Sequence, residues 1–236
     1  MSIFGRAFFD SSSKFERLLP AQPCLLCGAS SNHSWCPQCD SSLPYLKGAL
    51  CPVCALPAMG GICGRCLQHP PHFARTVAVF AYAFPIDRLV QALKYGEQLT
   101  LAAAFAQRLA QRSTQRPDRI LPMPLHPARL RERGFNQSQE LARHLARQLQ
   151  VPLLADRARR VRNTAPQSSL PWQERRRNMR NAFACDEPLH GLHVGIVDDV
   201  MTSGATLDAL SGTLRRAGAR DITAYVVART LPHGMR

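Results

Sequence analysis

The chain has 236 residues and a mass of 26.2 kDa, enough for one α/β domain plus a small module. Thirty Lys and Arg against sixteen Asp and Glu give a net charge of +14. Because 45% of residues are hydrophobic and only 19% charged, a disordered basic tail is excluded: there is enough apolar side chain to offset chain entropy over a core.

Residues 1–20 form an N-terminal segment rich in Phe (Phe4, Phe8, Phe9, Phe15) without the long apolar stretch of a secretory signal, so no signal peptide is expected. The longest apolar run, Val77 to Phe84, is far short of the about 20 residues of a membrane span. A cytoplasmic protein without a transmembrane segment is expected, with any association with the inner face of the membrane made through partners.

Residues 21–70 carry eight of the nine cysteines in two copies of one pattern. Cys24, Cys27, Cys36 and Cys39 form Cys-x2-Cys-x8-Cys-x2-Cys, and Cys51, Cys54, Cys63 and Cys66 repeat it 27 residues later. Two thiolates two residues apart on a tight turn reach one tetrahedral ion, and a second such pair closes the site, so this spacing predicts two structural zinc sites. One site per repeat is the expected pairing, with a cross-brace as the alternative. So short a segment needs the ions because its own core is small. Disulfides are the rival reading, disfavoured by the missing secretory signal. Cys185 stands apart and reads as a small buried residue.

Residues 71–236 read as an α/β domain. Residues 76–84 are β-branched and aromatic, a buried strand or hairpin. Ile86 to Tyr95 and Leu99 to Arg112 read as helices separated at Gly96, Ile120 to Met123 as a strand, and Gln137 to Leu149 as a helix with Leu141, Leu145 and Leu149 on one face. Val151 to Leu154 reads as a short strand. Residues 156–181 have no apolar periodicity and read as a long mobile loop. A strand over Leu192 to Val197, a helix from about Thr206 to Ala217 and a strand over Ile222 to Ala228 complete the chain. The alternation implies a mostly parallel sheet with helices on both faces.

The positive charge is concentrated. Residues 105–180 hold 17 Arg and 5 acids, while residues 1–70 carry only +2 and the other stretches cancel. An anionic partner is implied: phosphates of a small ligand, of a nucleic acid, or both.

One stretch carries most of the chemistry. The strand Val194 to Val197 runs into Asp198 and Asp199, then into the turn Val200-Met201-Thr202-Ser203-Gly204-Ala205-Thr206 and a helix. Ligands of α/β sheets bind at such strand ends. Backbone amides of the turn, the helix N-terminus and the hydroxyls of Thr202, Ser203 and Thr206 suit a phosphate, so the carboxylates face ribose hydroxyls or Mg²⁺. No GxxxxGK[ST] sequence is present, which excludes a Walker loop.

This stretch resembles the 5-phosphoribosyl-1-pyrophosphate (PRPP) signature of type I phosphoribosyltransferases, with Ser203 in place of the usual Thr. A second segment, Pro122-Met123-Pro124-Leu125-His126-Pro127 through Arg129, Arg131, Arg133-Gly134-Phe135-Asn136-Gln137, is similar to the signature of the ComF family of competence-related proteins. The multi-CxxC module, Ala92-Leu93-Lys94-Tyr95-Gly96, and the loop pattern containing Arg162, Gln167, Arg175 and Asn178 also match that family. The resemblance implies a type I phosphoribosyltransferase-like domain behind a double zinc ribbon. By the same resemblance Asp198 and Asp199 are the catalytic pair holding the ribose hydroxyls, Thr202, Ser203, Gly204, Ala205 and Thr206 wrap the 5′-phosphate, and Arg129, Arg131, Arg133 and Lys94 meet the PRPP phosphates.

Two functions follow as expectations. The first is a phosphoribosyltransferase using PRPP with Mg²⁺ on an unidentified acceptor. The second, implied by the family, is a factor in DNA uptake that handles single-stranded DNA beside other competence proteins, with Phe135 or Trp172 stacking on bases. A PRPP-sensing regulator is a weaker third, because no helix-turn-helix pattern accompanies the domain.

Overall fold

A computed structural model describes residues 22–95, 98–162 and 181–232. The N-terminal segment 1–20, Gly96, and the loop residues Gln167, Trp172, Arg175 and Asn178 lie outside the described residues. The chain divides into two compact units, Met1–Leu43 and Pro44–Arg236. The first holds the first cysteine repeat. Strands β1 (Gln22–Pro23) and β2 (Ser30–Ser31) pair antiparallel. Helix α1 (Pro37–Ser42) starts on Pro37 directly after extended Cys36, where a missing N–H costs the helix nothing.

The second repeat belongs to the larger unit. Its helix α2 (Gly64–Gln68) leads into β3 (Arg75–Ala81), α3 (Ile86–Lys94), α4 (Thr100–Arg112), β4 (Arg119–Pro122), α5 (Pro127–Arg133), α6 (Gln137–Leu149), β5 (Ala158–Arg160), β6 (Phe183–Cys185), β7 (His193–Met201), α7 (Ala205–Arg216) and β8 (Asp221–Arg229). Strands β3, β8, β7 and β4 lie in that order in one sheet, and every pair is parallel.

The two central strands are buried on both faces, β8 almost throughout and β7 through Val194, Ile196 and Val197. Near-continuous apolar sequence is what such a position requires. Helices α4 and α6 pack on each other through Leu101, Phe105 and Leu109 and through Leu141 and Leu145, all fully buried. Gly195 is set by close packing, since a Cβ there would lie 2.8 Å from both Ile120 Cδ1 and Tyr225 Cε2.

Three boundaries differ from the sequence reading. Strand β7 continues four residues past Val197, because β8 keeps pairing with it as far as Met201 opposite Arg229. Asp198 and Asp199 therefore sit within a hydrogen-bonded strand. The stretch over Val151 to Leu154 contributes only a parallel bridge, Ile120 to Leu153. The segment read as one loop from residue 156 opens on β5, which pairs antiparallel with β6 to form a separate two-stranded hairpin.

Candidate functional site

The acid pair is embedded in donors from three elements. Asp199 is buried, 4% exposed, and takes the Lys94 ammonium from the end of α3 at 3.2 Å and the Gln137 side-chain amide from the start of α6 at 2.8 Å. Asp198 Oδ1 accepts the Ser138 hydroxyl at 3.1 Å and the Asp199 amide at 2.9 Å. Arg133 reaches the pair indirectly, donating to Gln137 Oε1 at 2.8 Å.

The start of α6 is fixed by its cap. Asn136 Oδ1 accepts the Ser138 amide at 3.0 Å, and its Nδ2 donates to the Met123 carbonyl beyond β4 at 3.0 Å. An Asn at this position satisfies an open helix-terminal amide and here also ties the helix to the adjoining strand end.

Burial and the Asp199 charge push the Asp198 carboxyl up to about 7, against the Asp199 amide, Lys94 and Ser138, which favour its ionised form. Two carboxylates side by side cannot both ionise freely. Burial disfavours the Lys94 charge, but Asp199 and Asp198 outweigh it and hold the ammonium above its usual range.

The expected phosphate turn follows directly. Thr202 is exposed and Ser203 and Thr206 are half-buried. Gly204 adopts φ +81°, a left-handed backbone that glycine takes without strain. Ser203 Oγ accepts the Ala205 amide at 3.3 Å, and Gly204 at the N-cap of α7 makes no side-chain cap. An open helix end with small side chains is suited to an anion.

The three alternating arginines do not share one face. Residues 127–133 are helical, and positions two apart on a helix point to different faces. Arg129 pairs with Glu132 at 3.2 Å, Arg131 is exposed, and Arg133 turns to Gln137. Arg162, at the edge of the described hairpin, is exposed.

Arg160 was not singled out from the sequence. It lies over the Phe183 ring, 5.8 Å from its centroid. Burial lowers its proton affinity, with Asp198 opposing and Arg129 adding to the effect, so it stands in the field of the acid pair. A cavity of about 460 Å³ beside the end of β4 is lined by Pro124, His126, Gln139, Leu154, Arg159 and Arg160 among others. Gln137 and Ser138 were also missed as site residues. Their only sequence signal is their position at the end of the arginine-containing motif.

The cysteines group as one site per repeat, and the cross-brace is not formed. Within Cys24, Cys27, Cys36 and Cys39, and within Cys51, Cys54, Cys63 and Cys66, the sulfurs all lie within 4.8 Å of one another. In each group a backbone amide donates to the first thiol at 3.3 Å, Cys36 to Cys24 and Cys63 to Cys51. Against the cost of burial, such amides hold the Cys24 thiol down at about 6 and Cys51 at about 7. Hydrogen bonds to Cys27 and Cys36 push the Cys39 thiol up to about 12, and burial raises Cys54 and Cys66. Four sulfurs at this separation, one in each group already favoured as a thiolate, fit Zn²⁺. Burial raises the Cys185 thiol, which lies outside both groups.

Comparison with known proteins agrees with both halves. Residues 15–67 match the double zinc ribbon domain and residues 136–233 the phosphoribosyl transferase domain. The chain is 41% identical over 221 residues to DNA utilization protein YhgH of Salmonella typhimurium, covering 88% of this chain and 97% of that protein. It is 31% identical to competence protein F of Haemophilus influenzae over 82% of this chain and 96% of that protein. It is 25% identical to competence protein ComFC of Bacillus subtilis over 88% and 95%.

Proposed function

Because the chain belongs to the family of DNA utilization protein YhgH and competence protein F, joining a double zinc ribbon to a phosphoribosyltransferase domain, we propose that it binds PRPP with Mg²⁺ and transfers the phosphoribosyl group in the service of DNA uptake or utilisation. The observation that carries this reading is the adjacency of an acid pair held by Lys94, Gln137 and Ser138 and a glycine turn at a helix N-terminus on one strand end. The two halves match the two ends of a ribose 5-phosphate, hydroxyls on one side and a dianion on the other.

In this reading Asp198 and Asp199 accept the ribose hydroxyls, and Thr202 to Thr206 enclose the 5′-phosphate. The Mg²⁺ that accompanies PRPP neutralises pyrophosphate charge. Lys94, beside the acid pair, and Arg160, in its field, supply protein cations for the pyrophosphate side. Transfer breaks the C1–pyrophosphate bond and forms a C1–acceptor bond, and pyrophosphate leaves with the bonding electrons. The cavity next to Arg160 is the volume open to an acceptor.

Calorimetry with Mg²⁺ and PRPP tests the reading. Wild type is expected to release binding heat, and Asp198→Asn/Asp199→Asn to release little. Equal heats from the two proteins overturn it. A screen for PRPP-dependent pyrophosphate release against bases, nucleotides and single-stranded DNA then identifies the acceptor.

A further inference from the structure

Arg229, the last residue of β8, is 1% exposed, and its guanidinium spans two segments far apart in sequence. Nε donates to the Cys54 carbonyl at 2.8 Å, inside the second cysteine repeat. Nη1 donates to the Met201 carbonyl at 2.8 Å, to the Thr202 carbonyl, and to its own neighbour Thr230 at 3.0 Å. Met201 and Thr202 begin the glycine turn, so one planar fork clamps the cysteine knuckle to the phosphate loop.

Other contacts continue the join. Thr76 at the edge of β3 receives the same knuckle, its Oγ1 donating to the Val53 carbonyl at 2.6 Å and its amide to Pro52 at 3.0 Å. Cys54 and Cys66 face Phe73, Ser203, Gly204 and Ala205 across a narrow cleft, and Cys51, Cys54 and Cys66 share a buried cluster with Met201 and Leu207.

A buried guanidinium needs counter-charge. Four thiolates around one Zn²⁺ leave a net charge of −2 beside Arg229. Protonated thiols leave none. Lys could not replace the fork, since its compact head lacks the planar array of donors that reaches both segments.

We propose that the second four-cysteine cluster is a buttress of the phosphate loop, with Arg229 as the positioning residue that joins them, so that metal occupancy of this cluster sets how tightly the loop holds a phosphate. The first cluster, which lies in the other compact unit, is the comparison. The ligand arm rests on the reading of Thr202 to Thr206 as a phosphate loop. The loop-order arm does not.

The test compares Cys63→Ser in the second cluster, Cys39→Ser in the first, and Arg229→Lys, in the full chain. Bound zinc, amide hydrogen exchange across residues 202–206 and PRPP binding are measured on each. Loss of one charge-assisted bond corresponds to about tenfold or more in local opening. Cys63→Ser is therefore expected to speed exchange at residues 202–206 about tenfold and to weaken PRPP binding similarly. Arg229→Lys is expected to do the same while retaining both zinc ions, and Cys39→Ser to leave both readouts within about twofold of wild type.

Unchanged exchange in both Cys63→Ser and Arg229→Lys overturns the proposal, as does an equal effect from Cys39→Ser. Should Cys63→Ser fail to fold, Arg229→Lys with its zinc count decides alone. If wild type binds no PRPP, the phosphate reading fails while hydrogen exchange still decides the coupling.

Discussion

Replacing Lys94 with Met is the most direct probe of the acid pair, because it removes one charge and keeps most of the volume. The Lys94 ammonium lies 3.2 Å from Asp199 Oδ1, with side-chain exposures of 26% and 6%. At an effective dielectric of about 20 the Coulomb attraction at that distance is about 5 kcal/mol. The cost of dehydrating both ions offsets part of it. Breaking such a pair leaves a carboxylate with no neutralising charge, a loss of about 3–5 kcal/mol for fully buried pairs. Here the Gln137 amide still donates to Asp199, so about 2 kcal/mol is expected for Lys94→Met near pH 8, read from urea unfolding midpoints at unchanged slope.

The pH dependence carries the diagnostic sign. Without the ammonium the pair takes up a proton more readily, so the folded state holds protons that the unfolded chain has already released above about pH 4. Stability of the variant therefore falls more steeply with rising pH than that of wild type. The gap between the two proteins should widen from pH 5 to pH 8. A gap below about 0.5 kcal/mol at pH 8, or one that does not change with pH, refutes the account of Lys94 as the neutralising partner of the pair.

Asp198→Asn tests the other member. The carboxyl at about 7 lies above its unfolded value near 4, so its contribution is fully present at low pH and lost as pH rises through about 4 to 7. The variant should show a flatter stability profile in that window, and identical profiles would contradict the raised carboxyl. Gly204→Ala forces a left-handed φ on a residue with a Cβ, which would stand 2.7 Å from Met201 Cε. A loss of about 1–3 kcal/mol is expected by thermal unfolding, and a neutral result would mean that the turn relaxes. For single-stranded DNA, affinity should fall with salt. Arg157→Ala/Arg159→Ala should then reduce the log–log slope by about 1.4, the release of two counterions on a single strand. An unchanged slope removes these two arginines from any DNA path.

What the sequence made legible follows from how local each signal is. A CxxC pair is a property of four residues, and the eight-residue gap between the pairs keeps each quartet local in the chain. The acid pair and its turn are likewise contiguous. Arg229 is the opposite case: 175 positions separate it from its Cys54 partner, and only the parallel pairing of β7 with β8 brings it beside Met201. Gln137 and Ser138 bond to residues about 60 positions away, so nothing in their own neighbourhood marks them. The spacing of Arg129, Arg131 and Arg133 suggests a shared phosphate face only if the chain is extended. Pro127 at a helix start, with His126 as its cap accepting the Ala128 amide, makes it helical instead.

The same contrast recasts the basic block. Several of its arginines are spent on the fold: Arg112 donates to the Leu46 carbonyl, Arg116 to the Gln150 carbonyl, Arg119 to the Asp118 carbonyl, and Arg143 pairs with Glu140. Such guanidinium groups raise the net charge while part of their hydrogen-bonding capacity is taken by the fold. Arg160 is the arginine that feels both Asp198 and the neighbouring Arg129, while Arg129 itself pairs with Glu132. Among the described residues the exposed group that remains is Arg131, Arg147, Arg157, Arg159 and Arg162, and two of these meet Glu187 and Asp186. A nucleic acid would have to displace those carboxylates to use them. The net charge of +12 over residues 105–180 is therefore a poor measure of affinity for DNA, and the salt slope of Arg157→Ala/Arg159→Ala is the better one.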